Sequence, residues 1–322
     1  MPASPQPGRT AGADPYRRQY TRRSDPRGFV TDPFEPVKAA IAVTLDRLLP
    51  SHSPIAQPMV DAMRHAVLGG GKRMRPLMTC AACDAFSGDY HVALPAACGF
   101  EFIHAYSLIH DDLPAMDDDE LRHGQAATHI AFGEANAILA GDSLHSLAFQ
   151  ALAEAPGLSD AARLRSIAML SQAAGWPGMA GGQCLDIEAE GKELSLTELE
   201  ALHAAKTGAL IQSSLIVGAY CAEVAPDDPR LELLKQFGAR IGLAFQVVDD
   251  ILDITESSDT LGKPAGSDEA LDKNTFPKLM GLESAQMRAN ELLEESLALL
   301  QKAGLATVML TELANRAVKR SY

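Results

Sequence analysis

From Phe34 to the C-terminus, apolar side chains recur at i, i+3, i+4 and i+7 in one segment after another, the spacing of helices that each bury one face. Short breaks at Leu49-Pro50, Gly69-Gly70-Gly71, Gly175-Trp176-Pro177 and Ala225-Pro226 punctuate the pattern with residues that end helices. No alternating apolar and polar run of useful length competes for strand. The pattern predicts an all-α fold over residues 34–322, roughly ten or more helices in one bundle with polar groups converging on a central cavity. Residues 1–33 differ, carrying Pro, Gly and Arg without apolar periodicity, and are expected to form a flexible, locally basic tail. Their arginines also suit a transit peptide or an anionic membrane surface, but Asp14, Asp25 and Asp32 interrupt the run and no amphipathic stripe accompanies it. A solvated tail is the reading.

Composition agrees with helix: aromatic residues make up only 5% of the chain, while Ala and Leu abound. The net charge of -14 argues against general nucleic-acid binding, which needs a basic face to displace phosphate counterions, yet leaves local phosphate binding open. No run of about twenty apolar residues and no secretory leader is evident, so a cytoplasmic protein without stable membrane insertion is expected. Cys80, Cys83, Cys98, Cys184 and Cys221 form an odd set without a second paired motif, and Cys80 and Cys83 are read as buried core.

Two acidic clusters carry the candidate chemistry. In the first, an apolar run leads through His104, Ser107 and Asp111, which share a helical stripe, into Asp112, Asp117, Asp118, Asp119 and Glu120. Pro114 breaks the helix, and an irregular turn there is expected to swing Asp117 back toward Asp111. In the second, Gln246, Asp249, Asp250 and Asp253 line one helical face opposite a wholly apolar one. Carboxylates so close to core sequence repel one another and lose solvation unless cations neutralise them. Mg²⁺ suits them, since it prefers oxygen ligands and takes the remainder from water and phosphate. Either cluster alone reads equally well as a solvated helix end; the two together, with cations nearby, do not. Gly69-Gly70-Gly71-Lys72-Arg73-Met74-Arg75 sets a flexible turn against three cations, and Lys206-Thr207-Gly208, Lys263 and Lys273 add further donors.

Five ordered segments, GGGKRMRP, HAYSLIHDDLPAMDDDELRHG, GGQCLDIEAEG, KTGALI and FQVVDDILD with the following LGKPAGSDEALDKNTFPKL, resemble the trans-isoprenyl diphosphate synthases, most closely the bacterial farnesyl diphosphate synthases. The resemblance covers about Phe34 to Tyr322. It implies an isoprenoid-synthase-type helical bundle, usually a homodimer, in which three Mg²⁺ ions, with Mn²⁺ as a possible substitute, hold an allylic diphosphate between the aspartate clusters. It implies Asp111, Asp117 and Asp249 as metal ligands, with Asp112, Asp250 and Asp253 in supporting contacts. Arg122, Lys206, Thr207, Gln246, Lys263 and Lys273 resemble the groups around the allylic diphosphate. Gly71, Lys72, Arg75 and His104 resemble the isopentenyl diphosphate site, and Gln183 and Asp186 match the cavity wall. The implied reaction joins isopentenyl diphosphate to dimethylallyl or geranyl diphosphate by ionisation, condensation and elimination, with Asp111, Asp117, Asp249 and Lys206 as its catalytic groups.

The pattern departs from the family at His123, where most relatives carry a second arginine, so that cation becomes conditional on protonation. Tyr106, five residues before Asp111 and about 7.5 Å deeper along a helix, is placed to floor the tunnel for the growing chain. With the two-residue insertion within Leu113-Pro114-Ala115-Met116, the resemblance implies a fifteen-carbon product, with geranylgeranyl or geranyl diphosphate as alternatives. Three other readings compete. His110-Asp111 suits an HD-type metal phosphohydrolase but leaves the second cluster unexplained. A terpene cyclase needs no second diphosphate site at Lys72, Arg75 and His104. A non-catalytic helical partner subunit fits the altered Arg122-His123 pair but not intact metal motifs.

Overall fold

The computed structural model describes residues 32–255 and 274–319, and the chain divides between Asp32 and Pro33 into two units, the second carrying every described helix. Fourteen α-helices are present among the described residues. They are α1 (Glu35–Leu48), α2 (Gln57–Leu68), α3 (Met74–Ser87), α4 (Leu94–Asp111), α5 (Thr128–Phe132), α6 (Glu134–Ala153) and α7 (Asp160–Ala174). There follow α8 (Met179–Glu188), α9 (Leu196–His203), α10 (Ala209–Cys221), α11 (Pro229–Thr255), α12 (Phe276–Met280), α13 (Leu282–Ala303) and α14 (Val308–Val318). The Pro and Gly breaks fall between helices as the sequence predicts. One departure from helix was not foreseen: Leu121–Arg122 pairs antiparallel with Gln125–Ala126 in a two-residue hairpin.

Caps fix several starts. Ser195 and Glu198 form a reciprocal capping box on α9, and Ser159, Thr275 and Thr307 accept backbone N–H bonds at α7, α12 and α14. Two helices, α4 and α10, are apolar almost all round and are buried accordingly, with α3 packed against both. Small residues let these helices approach closely. A Cβ at Gly218 would stand 2.3 Å from the Thr79 carbonyl oxygen, and one at Gly99 would meet Leu152 of α6 at 2.4 Å. The main core runs through α1, α3, α4, α6, α7 and α10. A second, smaller core lies beneath the far half of α11, where Val247, Val248, Ile251 and Leu252 pack on Leu199, Phe276, Ala285 and Leu292. This is the apolar face expected opposite the second acidic row.

Cys80, Cys83, Cys98 and Cys221 are buried, and burial raises their thiol pKa values, Cys83 to about 11, so they behave as small core side chains. Cys184 is exposed. Among the described residues one helical stretch, His91–Asp111, is long and apolar enough to cross a membrane by length and composition, and 67% of its most apolar 18-residue window is buried inside the protein, as expected of a core helix.

Candidate active site

The first acidic cluster begins where α4 ends. Beyond Asp112 the chain folds into an irregular turn whose return is recorded by the Asp117 N–H donating to the Asp111 carbonyl oxygen at 2.9 Å. The predicted swing of Asp117 toward Asp111 is therefore present in the backbone. Burial lifts the Asp111 carboxyl to about 6; Lys206 opposes the shift and the neighbouring Asp117 adds to it. Asp112 goes elsewhere: only 1% exposed, it is held by the Nε and Nη2 of Arg122, and Nη2 also donates to Asp119 at 2.9 Å. Arg122, read from sequence as a diphosphate ligand, thus has its Nε and Nη2 engaged in bracing the acidic turn.

The Lys-Thr segment is built by a change of helix type. Residues Ala204–Gly208 form a π turn between α9 and α10, matching the interruption read in the sequence. Glycines seat it: a Cβ at Gly182 of α8 would lie 2.2 Å from the Lys206 amide nitrogen, and one at Gly242 of α11 would lie 3.1 Å from the Gly208 Cα. From Gly242 the same stripe of α11 continues to Gln246, whose Nε2 is 3.4 Å from Nδ1 of His203, and then to Asp249. Lys206 Nζ donates to Asp186 of α8 at 2.5 Å.

The structure separates the three cations of the Gly-rich turn. Gly70 and Gly71 adopt φ of 119° and 112°, a left-handed region that glycine accepts without strain. Arg73 turns inward to Glu101 and to the Val67 carbonyl oxygen, at 2.6 Å from the latter. Lys72 is exposed, while Arg75 lies against the cavity with its Nε buried and lacking a hydrogen-bond partner. Burial lowers the Arg75 pKa, and the charges of Glu101 and Asp249 act against that. His104 is pushed well below the usual histidine range by burial and then by Arg75, His123 and Arg122, so it is neutral at pH 7. His123 sits beside Gly71, where a Cβ would lie 3.7 Å from its Nε2, and burial followed by Arg122 and Arg73 lowers its pKa too.

Whereas Asp112, Arg122 and His123 line a separate small pocket, Arg75, Tyr106, Asp111, Gln183, Lys206 and Thr207 line one cavity of about 290 Å³, with Met116 and Met179 supplying apolar wall. Gln183 Oε1 joins Arg75 Nε as a second buried polar atom left without a partner at its edge. Asp249 is not among the lining residues; its charge acts on Arg75, which is. A larger groove of about 570 Å³ between α7, α10 and the start of α11 holds none of the candidate residues.

The sequence profile of the family described as "Polyprenyl synthetase" matches residues 56–309. The chain belongs to that family. It is 48% identical over 245 residues to the farnesyl diphosphate synthase of Haemophilus influenzae, covering 76% of this chain and 83% of that one. Against the farnesyl diphosphate synthase of Escherichia coli it is 46% identical over 271 residues, covering 82% and 90%. A geranyltransferase from Helicobacter pylori, solved as a complex with magnesium and isoprenyl diphosphate, superposes with a TM-score of 0.77 at 34% identity, covering 90% of this chain and 98% of that one.

The sequence reading missed His203, Gly182 and Gly242, and named Asp250 as a supporting group without its partner. His203 stacks on Phe276 as well as meeting Gln246, and burial drops its pKa to about 4. Asp250 accepts the Phe276 N–H at 2.9 Å, and so ties α11 to α12. Gly182 and Gly242 were legible only as glycines on helical faces. Lys263 and Lys273 lie outside the described residues. His110, the basis of the phosphohydrolase reading, turns its ring to α6, with Nε2 3.2 Å from the Ile138 carbonyl oxygen.

Proposed function

We propose that this chain is a magnesium-dependent trans-prenyltransferase that joins isopentenyl diphosphate to dimethylallyl and geranyl diphosphate, releasing farnesyl diphosphate and pyrophosphate. The observation that carries the reading is the shared cavity, where Asp111 meets Lys206, Thr207 and Arg75 beside two orphaned buried polar atoms. The farnesyl diphosphate synthases at 46% and 48% identity support the product.

The donor set fits Mg²⁺. Asp111 and Asp117 are acids whose mutual repulsion and desolvation a cation would relieve. Mg²⁺ completes its shell with water and diphosphate oxygens, so few protein carboxylates are needed to hold it. Asp111 and Asp117 on one side and Asp249 on the other would hold three such ions, or Mn²⁺ in their place. When bound, the ions supply electrostatic stabilisation of the departing diphosphate.

The chain's own residues do the rest. Lys206 and Thr207 bind the allylic diphosphate beside the acids, Gln246 is oriented toward them by His203, and Lys263 and Lys273 complete that group. Gly71, Lys72, Arg75, His104 and His123 bind the isopentenyl diphosphate, with neutral His104 offering a hydrogen bond in place of charge. Positive groups held in a partly dry cavity favour pyrophosphate as leaving group and keep water from the allylic cation. Asp112, Asp250 and Asp253 position the acidic turns. Tyr106 floors the cavity and limits the product to fifteen carbons. We place the enzyme in the cytoplasm as a homodimer; Ile138 and Leu139 of α6, 42% and 52% exposed, with Ile130 nearby in sequence at 53%, offer an apolar face for a second copy.

Incubation with Mg²⁺, isopentenyl diphosphate and geranyl diphosphate tests the reading directly: farnesyl diphosphate is expected, and EDTA is expected to abolish it. Phosphate release without isopentenyl diphosphate would instead mark a phosphohydrolase, a hydrocarbon a cyclase, and inertness a partner subunit.

A further inference from the structure

Tyr106 does not stand alone at the cavity. Its ring is met nearly edge-on from two sides, by His110 one turn along α4 with centroids 5.7 Å apart at 77°, and by His145 of α6 at 5.2 Å and 86°. His145 in turn meets Phe149 at 5.1 Å and 61°. His110 is fixed from behind, since it fills a notch at Gly141 where a Cβ would fall 2.2 Å from Nε2. His145 bridges the two helices and has an exposed outer side. Edge-to-face pairs are directional, so these two contacts set the plane of the tyrosine ring as well as its place.

We infer that His145, backed by Phe149, is a positioning residue for product length that holds Tyr106 across the cavity floor. The inference rests on the proposed role of Tyr106 as that floor. A fourth isoprene unit pressing on the tyrosine must either stop or turn the ring toward α6, and His145 occupies the direction of retreat. Termination at fifteen carbons is then a property of a stack of rings spanning two helices.

Product analysis with isopentenyl and geranyl diphosphates, on wild type, Tyr106→Ala, His145→Ala and His145→Phe, tests this. His145→Ala is expected to raise the ratio of twenty- to fifteen-carbon product roughly three- to tenfold, the loss of one such ring contact. Its kcat for the first addition should stay within about twofold, as for a group that does not touch the reacting atoms. His145→Phe keeps a ring in place and should restore the wild-type ratio. If Tyr106→Ala lengthens products while His145→Ala does not, the floor stands and the brace is overturned. If His145→Phe lengthens them as much as His145→Ala, the ring contact is overturned as the cause. If Tyr106→Ala leaves the products unchanged, the floor reading itself falls. Thermal melts of each variant separate a folding defect from a change of product.

Discussion

Burial holds the Asp111 carboxyl at about 6 against an ordinary value of 3.8, and the direction of that shift has a measurable cost. A carboxyl whose folded pKa is raised binds its proton more tightly in the folded state, so stability is undiminished below about pH 4 and declines as pH climbs toward 6 and above. Asp111→Asn is expected to stabilise the metal-free protein by about 1–3 kcal/mol at pH 7.5, to flatten its melting temperature between pH 4 and 6, and to cut turnover by orders of magnitude. Melts across that range and steady-state kinetics check both halves. His123 presents the reverse situation. Burial and two arginines keep it neutral near pH 7, so His123→Arg is expected to lower the KM for isopentenyl diphosphate several-fold, with the gain shrinking as acid protonates the native histidine. Equal KM values across a pH series would refute it. The sequence already showed His123 as a departure beside Arg122, but its lowered pKa follows first from burial, then from Arg122 and Arg73, and neither the burial nor the approach of Arg73 is visible in spacing.

At the scale of elements, the contact of α8 with the π turn decides where Lys206 stands. A Cβ at Gly182 collides with backbone, the Lys206 amide, and no rotamer relieves it. Gly182→Ala is expected to lower stability by about 1–3 kcal/mol and kcat/KM by a larger factor, about a hundredfold, because it moves the lysine as well as the helix. A melt and a kinetic titration on one preparation distinguish the two losses. Gly141→Ala meets only the tip of a side chain, His110, and should cost less stability. The helices themselves were legible, since their apolar period and Pro or Gly stops are local. So was the irregularity at Lys206-Thr207-Gly208. The hairpin at Leu121–Ala126 was not, being two residues per strand, too short for an alternating pattern to register. Nor could sequence spacing show that Arg122 would hold both Asp112 and Asp119. Which acid an arginine meets is decided by the fold of the turn between them.

For the molecule as a whole, the two-core arrangement places the first acidic cluster at the end of a main-core helix and the second on the helix that roofs the smaller core. The expectation of a single bundle with a polar centre agrees with this, because each acidic run was flanked by core sequence. The profile match begins at residue 56, and the division of the chain falls between Asp32 and Pro33. A protein starting at Pro33 is therefore expected to keep its melting temperature and to retain turnover within about twofold. A large fall in turnover would give the leading segment a role in catalysis.

Lys206 donates to Asp186 across the contact between the π turn and α8. If Lys206 binds the allylic diphosphate as proposed, that diphosphate must compete with the Asp186 carboxylate for the same ammonium group. The same competition would then favour release of pyrophosphate after coupling, with a rival for the lysine built into the wall.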